Sequence, residues 1–90
     1  MTLTGAQFTL GTATAVQIAA SHHNPQRVTV HNQEHAESKF IYLGGANVTA
    51  LTGMHVDPEQ TVSLILNPGE ALYALGSHAD LEVGVIRQVT

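Results

Sequence analysis

The most regular alternation of apolar and polar positions lies between Val56 and Leu75, where two apolar runs, Thr61–Leu66 and Ala71–Leu75, flank Asn67-Pro68-Gly69-Glu70. In the first run Val62, Leu64 and Leu66 share one face and Ser63 and Ile65 the other. In the second, Leu72 opposes Ala71, Tyr73 and Leu75. A period of two is that of a β-strand, so both runs are predicted as strands with one side buried. In the tetrapeptide between them, proline sits at the second position and glycine at the third. This pattern predicts a type II turn, because glycine tolerates the positive φ required there. Type II geometry does not match the twist of a tight hairpin, so the reversal reads as a corner carrying the chain from one sheet to another.

The same alternation continues on both sides. Arg27–Asn32 puts Val28 and Val30 inward and Arg27, Thr29 and His31 outward. Lys39–Leu43 is a strand stopped by Gly44-Gly45, and a hairpin across the polar loop Gln33–Ser38 is the simplest way to join these two. Thr12–Ala20 carries alanines that would suit a helix, but the parity of Thr12, Thr14, Val16 and Ile18 favours a strand. Ala46–His55 is a loop with a short edge strand before Asp57-Pro58, and Gly76–Asp80 is a turn. Leu81–Val89 closes the chain with Leu81, Val83 and Val85 on one face and Glu82, Ile86 and Gln88 on the other. The signal is weak only before Gly11, where Phe8 and Leu10 fit either a short strand or an arm that orders on contact with a partner.

About six to eight short strands without a convincing helix predict an all-β fold, a single small β-sandwich or jelly-roll-like domain. Residues 12–90 form the sandwich and residues 1–11 the arm or short strand. The expected core is Val28, Val30, Ile41, Leu43, Val62, Leu64, Leu66, Leu72, Val83 and Val85.

Composition narrows the function. Ninety residues make one domain, and with no cysteine neither a disulfide framework nor a thiolate metal site is available. A chain this small without either is expected to gain part of its stability from a partner or from self-association. Three Lys and Arg against seven Asp and Glu give a formal net charge of −4, which offers no basic patch for nucleic acid. No run is long enough for a membrane span, and Met1–Thr14 lacks the features of a signal peptide, so a soluble, unexported protein is expected. The sequon Asn47-Val48-Thr49 is therefore read as chance.

Candidate chemistry is sparse. Six histidines are present, and His22, His23, His31 and His35 fall close together. A transition metal needs three or four convergent donors, and no helical pair presents two of these imidazoles together, so they are expected to be solvated. The glycines do not form a phosphate loop, no serine lies in a nucleophile elbow, and no carboxylate pair shares a cleft. The expectation is a non-enzyme with no catalytic, cofactor-binding or metal residues and no cofactor. Phe40 and Tyr42 share a face opposite Ile41 and Leu43. Exposed, they would offer a glycan-binding module its stacking rings; partly buried, they are packing residues.

The order of motifs carries a resemblance. Arg27-Val-Thr-Val-His-Asn32 is followed by Ile41-Tyr-Leu-Gly-Gly45, Asn47-Val-Thr49 with Thr52-Gly53, and Pro68-Gly69-Glu70 leading to Leu72-Tyr-Ala-Leu75. From Arg27 to Val89 this resembles small virion structural proteins of tailed bacteriophages, of the capsid decoration type. The resemblance implies a protein on the outer surface of the phage head, bound to the major capsid protein and often a homotrimer, made in the host cytoplasm and located in the virion. Its alternatives are a tail or neck subunit, or a host-binding adhesion module.

Overall fold

The computed structural model describes residues 2–89, with the side chains from Leu3 onward. Eight strands form two four-stranded antiparallel sheets: β1 (Thr2–Leu10), β2 (Val16–Ala19), β3 (Gln26–Asn32), β4 (Ile41–Gly44), β5 (Met54–Val56), β6 (Thr61–Leu66), β7 (Leu72–Gly76) and β8 (Leu81–Val89). One sheet has the order β1-β8-β3-β6 and the other β2-β7-β4-β5. Only β4 and β5 are consecutive strands paired with each other; every other connection passes from sheet to sheet. That is the topology of a double-sheet jelly roll, and it confirms the β-sandwich.

The inner faces meet as the alternation requires. Val28, Val30, Ile41, Leu43, Leu66, Leu72, Val83 and Val85 are buried in one cluster, against which Val62 and Leu64 are partly buried. Those two are less covered because β6 lies at a sheet edge. The cluster also takes Leu10, Ile18, Ala19, Val56, Ala74 and Leu81. In β2 the register against β7 shifts between Gln17 and Ala19, and Ile18 and Ala19 are both buried.

The corner after β6 lies as the turn chemistry predicts. Gly69 has φ of 86°, the Glu70 N–H donates to the Asn67 carbonyl at 3.0 Å, and the chain leaves one sheet for the other. The expected hairpin between the third and fourth strands does not form. β3 pairs with β6 and β8, while β4 pairs with β5 and β7, so the segment between them crosses the sandwich. A loop of that length suits either connection, and the pairing is decided by distant strands. β2 begins only at Val16, with residues 12–15 irregular, and the strand expected from Lys39 begins at Ile41. Residues 2–10, where a strand and an arm were both open, are a nine-residue strand paired with β8 from Thr2↔Val89 to Leu10↔Leu81.

Candidate functional site

The end of the sandwich where β3 stops is organised by Asn32, which is fully buried. Its side-chain amide donates to the Lys39 carbonyl at 2.9 Å and the Val56 carbonyl at 3.1 Å, and its side-chain oxygen accepts the Glu34 N–H at 3.0 Å. One residue therefore ties β3 to the segment entering β4 and to β5 in the opposite sheet, with every polar atom satisfied. Glu34 continues the tie by accepting the Glu82 N–H at 2.9 Å and the Lys39 ammonium at 3.4 Å. The Glu82 N–H holds its carboxyl below the ordinary range, outweighing the desolvation that opposes it, with smaller help from Lys39.

Beside this tie lies an open cleft of about 390 Å³ lined by His35, Glu37, Phe40, Asp57, Pro58 and Glu59. His35 Nδ1 and Glu59 Oε1 are paired, but both side chains are largely exposed, so water screens the interaction. The cleft offers acidic surface and one half-buried ring, and nothing in it holds a nucleophile against a base.

The histidines are scattered. His22 and His23 stack on each other with centroids 4.3 Å apart, His31 bonds the Thr61 hydroxyl at 2.8 Å, and His78 bonds the Ser77 hydroxyl at 2.8 Å. His55 stacks near Phe40 at 5.8 Å and meets Tyr42 edge-on at 4.9 Å. Among the described residues no three histidines or carboxylates converge as a metal site. Phe40 and Tyr42 are half-buried and both pack on His55, a contact their own stretch of sequence does not foretell, since it depends on β4 pairing with β5.

The motifs behind the phage resemblance are fold determinants. Gly44 and Gly53 let Val48 close over the outer face of β4. A Cβ at either would lie 2.8 Å from the Val48 Cγ2, and one at Gly53 would also lie 2.7 Å from the Tyr42 Cβ. The Thr49 and Thr52 hydroxyls bond each other at 3.1 Å and hold the loop between β4 and β5. The sequon threonine is thus used within the loop.

Two surfaces remain. The outer face of the β1-β8-β3-β6 sheet carries the rows Leu3, Gln88, Arg27, Ile65 and Gly5, Ile86, Thr29, Ser63. Arg27 is the only full charge in these rows, and Leu3, Ile65 and Ile86 are 68%, 56% and 48% exposed. The second surface is a groove of about 200 Å³ between β1 and β2, lined by Thr4, Ala6, Phe8, Ile18, Val85 and Arg87 among others. Sequence reasoning placed Ile86 on the outer face but did not find the groove, which exists only because β1 and β2 edge different sheets on the same flank.

Strand order and faces define the molecule as a small jelly-roll β-sandwich. No protein-family model matches the chain, and no curated protein matches it. Solved structures similar to the chain include these two. One comes from Bacillus endospore appendages, described as a novel family of disulfide-linked pili; it is 17% identical, with 98% of this chain and 85% of that chain covered and a TM-score of 0.61. The other is PliG of Aeromonas hydrophila, a periplasmic inhibitor of g-type lysozyme, at 11% identity, 99% and 85% coverage and a TM-score of 0.49. The first shares the fold with this chain; the second adds no argument.

Proposed function

We propose that this chain is a non-enzymatic structural subunit that works by surface contact and self-association. In its finer form it is a bacteriophage capsid decoration protein, bound to the major capsid protein on the outside of the head. The observation that carries this reading is the outer face of the β1-β8-β3-β6 sheet. Three large apolar side chains stand exposed there in two rows whose single full charge is Arg27, with Glu82 further along the same face bonded to Gln7 and Thr9, where a monomeric protein would place mixed charges. Such a face buries against another protein at little desolvation cost.

The motif order from Arg27 to Val89 supports the virion assignment. A jelly roll also serves in the Bacillus appendage protein, so the fold is compatible with a polymeric assembly. With no cysteine, this chain has no means of the disulfide linkage named for those pili. The adhesion alternative would use Phe40 and Tyr42, whose rings already pack on His55, so shell binding is the preferred reading.

The test is co-sedimentation of the purified protein with assembled, undecorated phage heads. The wild-type chain is expected to sediment with them, and the double variant Ile65→Lys, Ile86→Lys to stay in the supernatant while remaining folded. Absence of wild-type binding at concentrations well above micromolar would overturn the reading. Antibody labelling of virions in the electron microscope separates head from tail or neck.

A further inference from the structure

We infer that β1 is a docking edge for a second copy of this chain, and that two copies pair β1 to β1 antiparallel about a two-fold axis at Ala6, forming one continuous eight-stranded sheet. This rests on the reading of the chain as a self-associating structural subunit and names its contact.

The four sheet edges are not equivalent. β2 has four residues and a register shift, β5 has three and β6 six, whereas β1 runs for nine residues in unbroken register with β8. Every second residue of an antiparallel edge strand aims its N–H and C=O away from its only partner. Natural edges of this length are guarded by a lysine, a proline or a bulge. Thr2–Leu10 contains no charged residue and no proline, and its pairing shows no bulge. Its outer face is uncovered, and so is the first half of its inner face, before Phe8 and the buried Leu10 reach the core. Leu3, Gly5 and Gln7 of the outer face are exposed, and so are Thr4 and Ala6, whose side faces the groove between the sheets.

The sequence of β1 is complementary to itself when reversed. With Ala6 opposite its own copy, Thr4 meets Phe8 along the inner face, while Gly5 meets Gln7 and Leu3 meets Thr9 along the outer. Phe8 meets a smaller residue, Gln7 meets glycine, and β1 itself brings no charged side chain into the seam. Phe8 of the partner subunit arrives beside Thr4, where it covers the open side of the groove.

A second arrangement would also be antiparallel, with β1 of one copy on β6 of the next. It sets the two molecules side by side in the same direction. Glu34, Glu37, Asp57, Glu59, Asp80 and Glu82 all lie at or beyond the end where β3 finishes and β8 begins, so that arrangement would place two acidic ends together. The two-fold places them at opposite ends of the dimer, which is the favourable choice for a chain of net charge −4.

The test measures mass in solution by light scattering and sedimentation, with circular dichroism to verify folding. The wild-type chain is expected at twice the monomer mass at high micromolar concentration. Ala6→Lys, a change at an exposed position that sets two ammonium groups against each other at the axis, is expected to be a folded monomer. Ala6→Glu alone is likewise expected to be monomeric, and mixing the two variants is expected to restore a dimer containing one of each. A monomeric or trimeric wild-type chain, an Ala6→Lys variant with the wild-type mass, or a mixture that stays monomeric would overturn the inference. Head binding by a chain that does not dimerise through β1 would overturn this inference alone. Loss of head binding by a dimer that forms as described would overturn the proposed function alone.

Discussion

The two proline turns that bracket β6 share their wiring and differ in the residue they place at positive φ. In Asp57-Pro58-Glu59-Gln60 and in Asn67-Pro68-Gly69-Glu70, the fourth N–H donates to the first carbonyl at 3.0 Å. In both, the fourth side chain also accepts the first N–H, at 2.9 Å to Gln60 and 2.7 Å to Glu70. The third residue is left-handed in each, at φ of 63° for Glu59 and 86° for Gly69. Glycine adopts that conformation freely and glutamate does not. What differs is the support from outside. The Glu59 N–H donates to the Asn32 carbonyl and the Asn32 N–H to the Gln60 carbonyl, each at 3.0 Å, and the Asn32 side chain holds Val56 just before the turn. The second turn has one backbone bond to another segment among those described, from the Gly69 N–H to the His22 carbonyl at 2.9 Å. A turn clamped from outside tolerates an unfavourable residue, and a turn held mainly by itself uses glycine.

The largest effect is therefore expected from the clamp. Asn32→Ala leaves the Val56 and Lys39 carbonyls and the Glu34 N–H without their side-chain partner in or beside the core, which costs about 2–4 kcal/mol. Urea denaturation measures this directly, and an unchanged midpoint would mean that Asn32 does not fasten the two sheets.

Gly69→Val comes next, with an expected loss of about 1–3 kcal/mol from the left-handed backbone alone. A Cβ at this position meets no atom of a non-neighbouring residue within 4 Å, so the backbone conformation is the main cost. Gly69→Asn, which tolerates positive φ better, should recover most of the loss. Equal melting temperatures for the Val and Asn variants would point to some cause other than backbone conformation.

The pair of turns also shows how far a sequence can be read. Asn67-Pro68-Gly69-Glu70 is legible because its glycine advertises the positive φ locally. Asp57-Pro58 reads only as the boundary where the Val56–Leu75 stretch begins, because nothing about Glu59 signals a left-handed residue that distant Asn32 supports. The core faces are legible for a similar reason: alternation in Arg27–Asn32 and Leu81–Val89 is a local property, and it placed Val28, Val30, Val83 and Val85 correctly. Pairing is not local. The loop after Asn32 is long enough for a hairpin or a crossing, and only the competition of β6 and β8 for β3 decides it. The contact of His55 with Phe40 and Tyr42, the burial of Asn32 and the groove beside β1 are all products of pairing, so none was visible beforehand.

The smallest and most discriminating change is Glu59→Gly. It removes a left-handed glutamate, a gain of about 1 kcal/mol, and adds the unfolded-state entropy of glycine, a loss of roughly 0.5–1 kcal/mol. It also removes the pairing with His35, which is solvent-exposed and worth little. The net expectation is a melting temperature equal to or slightly above that of the wild-type chain, opposite in sign to Gly69→Val at the corresponding position of the other turn. Combined with Asn32→Ala, which keeps both backbone bonds to the turn and removes the side-chain hold on Val56, the same change should be slightly more favourable, because the turn is then less firmly anchored at its start and the preference for glycine at position 59 is expressed more fully. A double-mutant cycle measures that coupling. Strict additivity would show that the Asn32 side chain and Glu59 act independently, and that the hold on Val56 is no part of what lets a glutamate occupy the place glycine takes ten residues later.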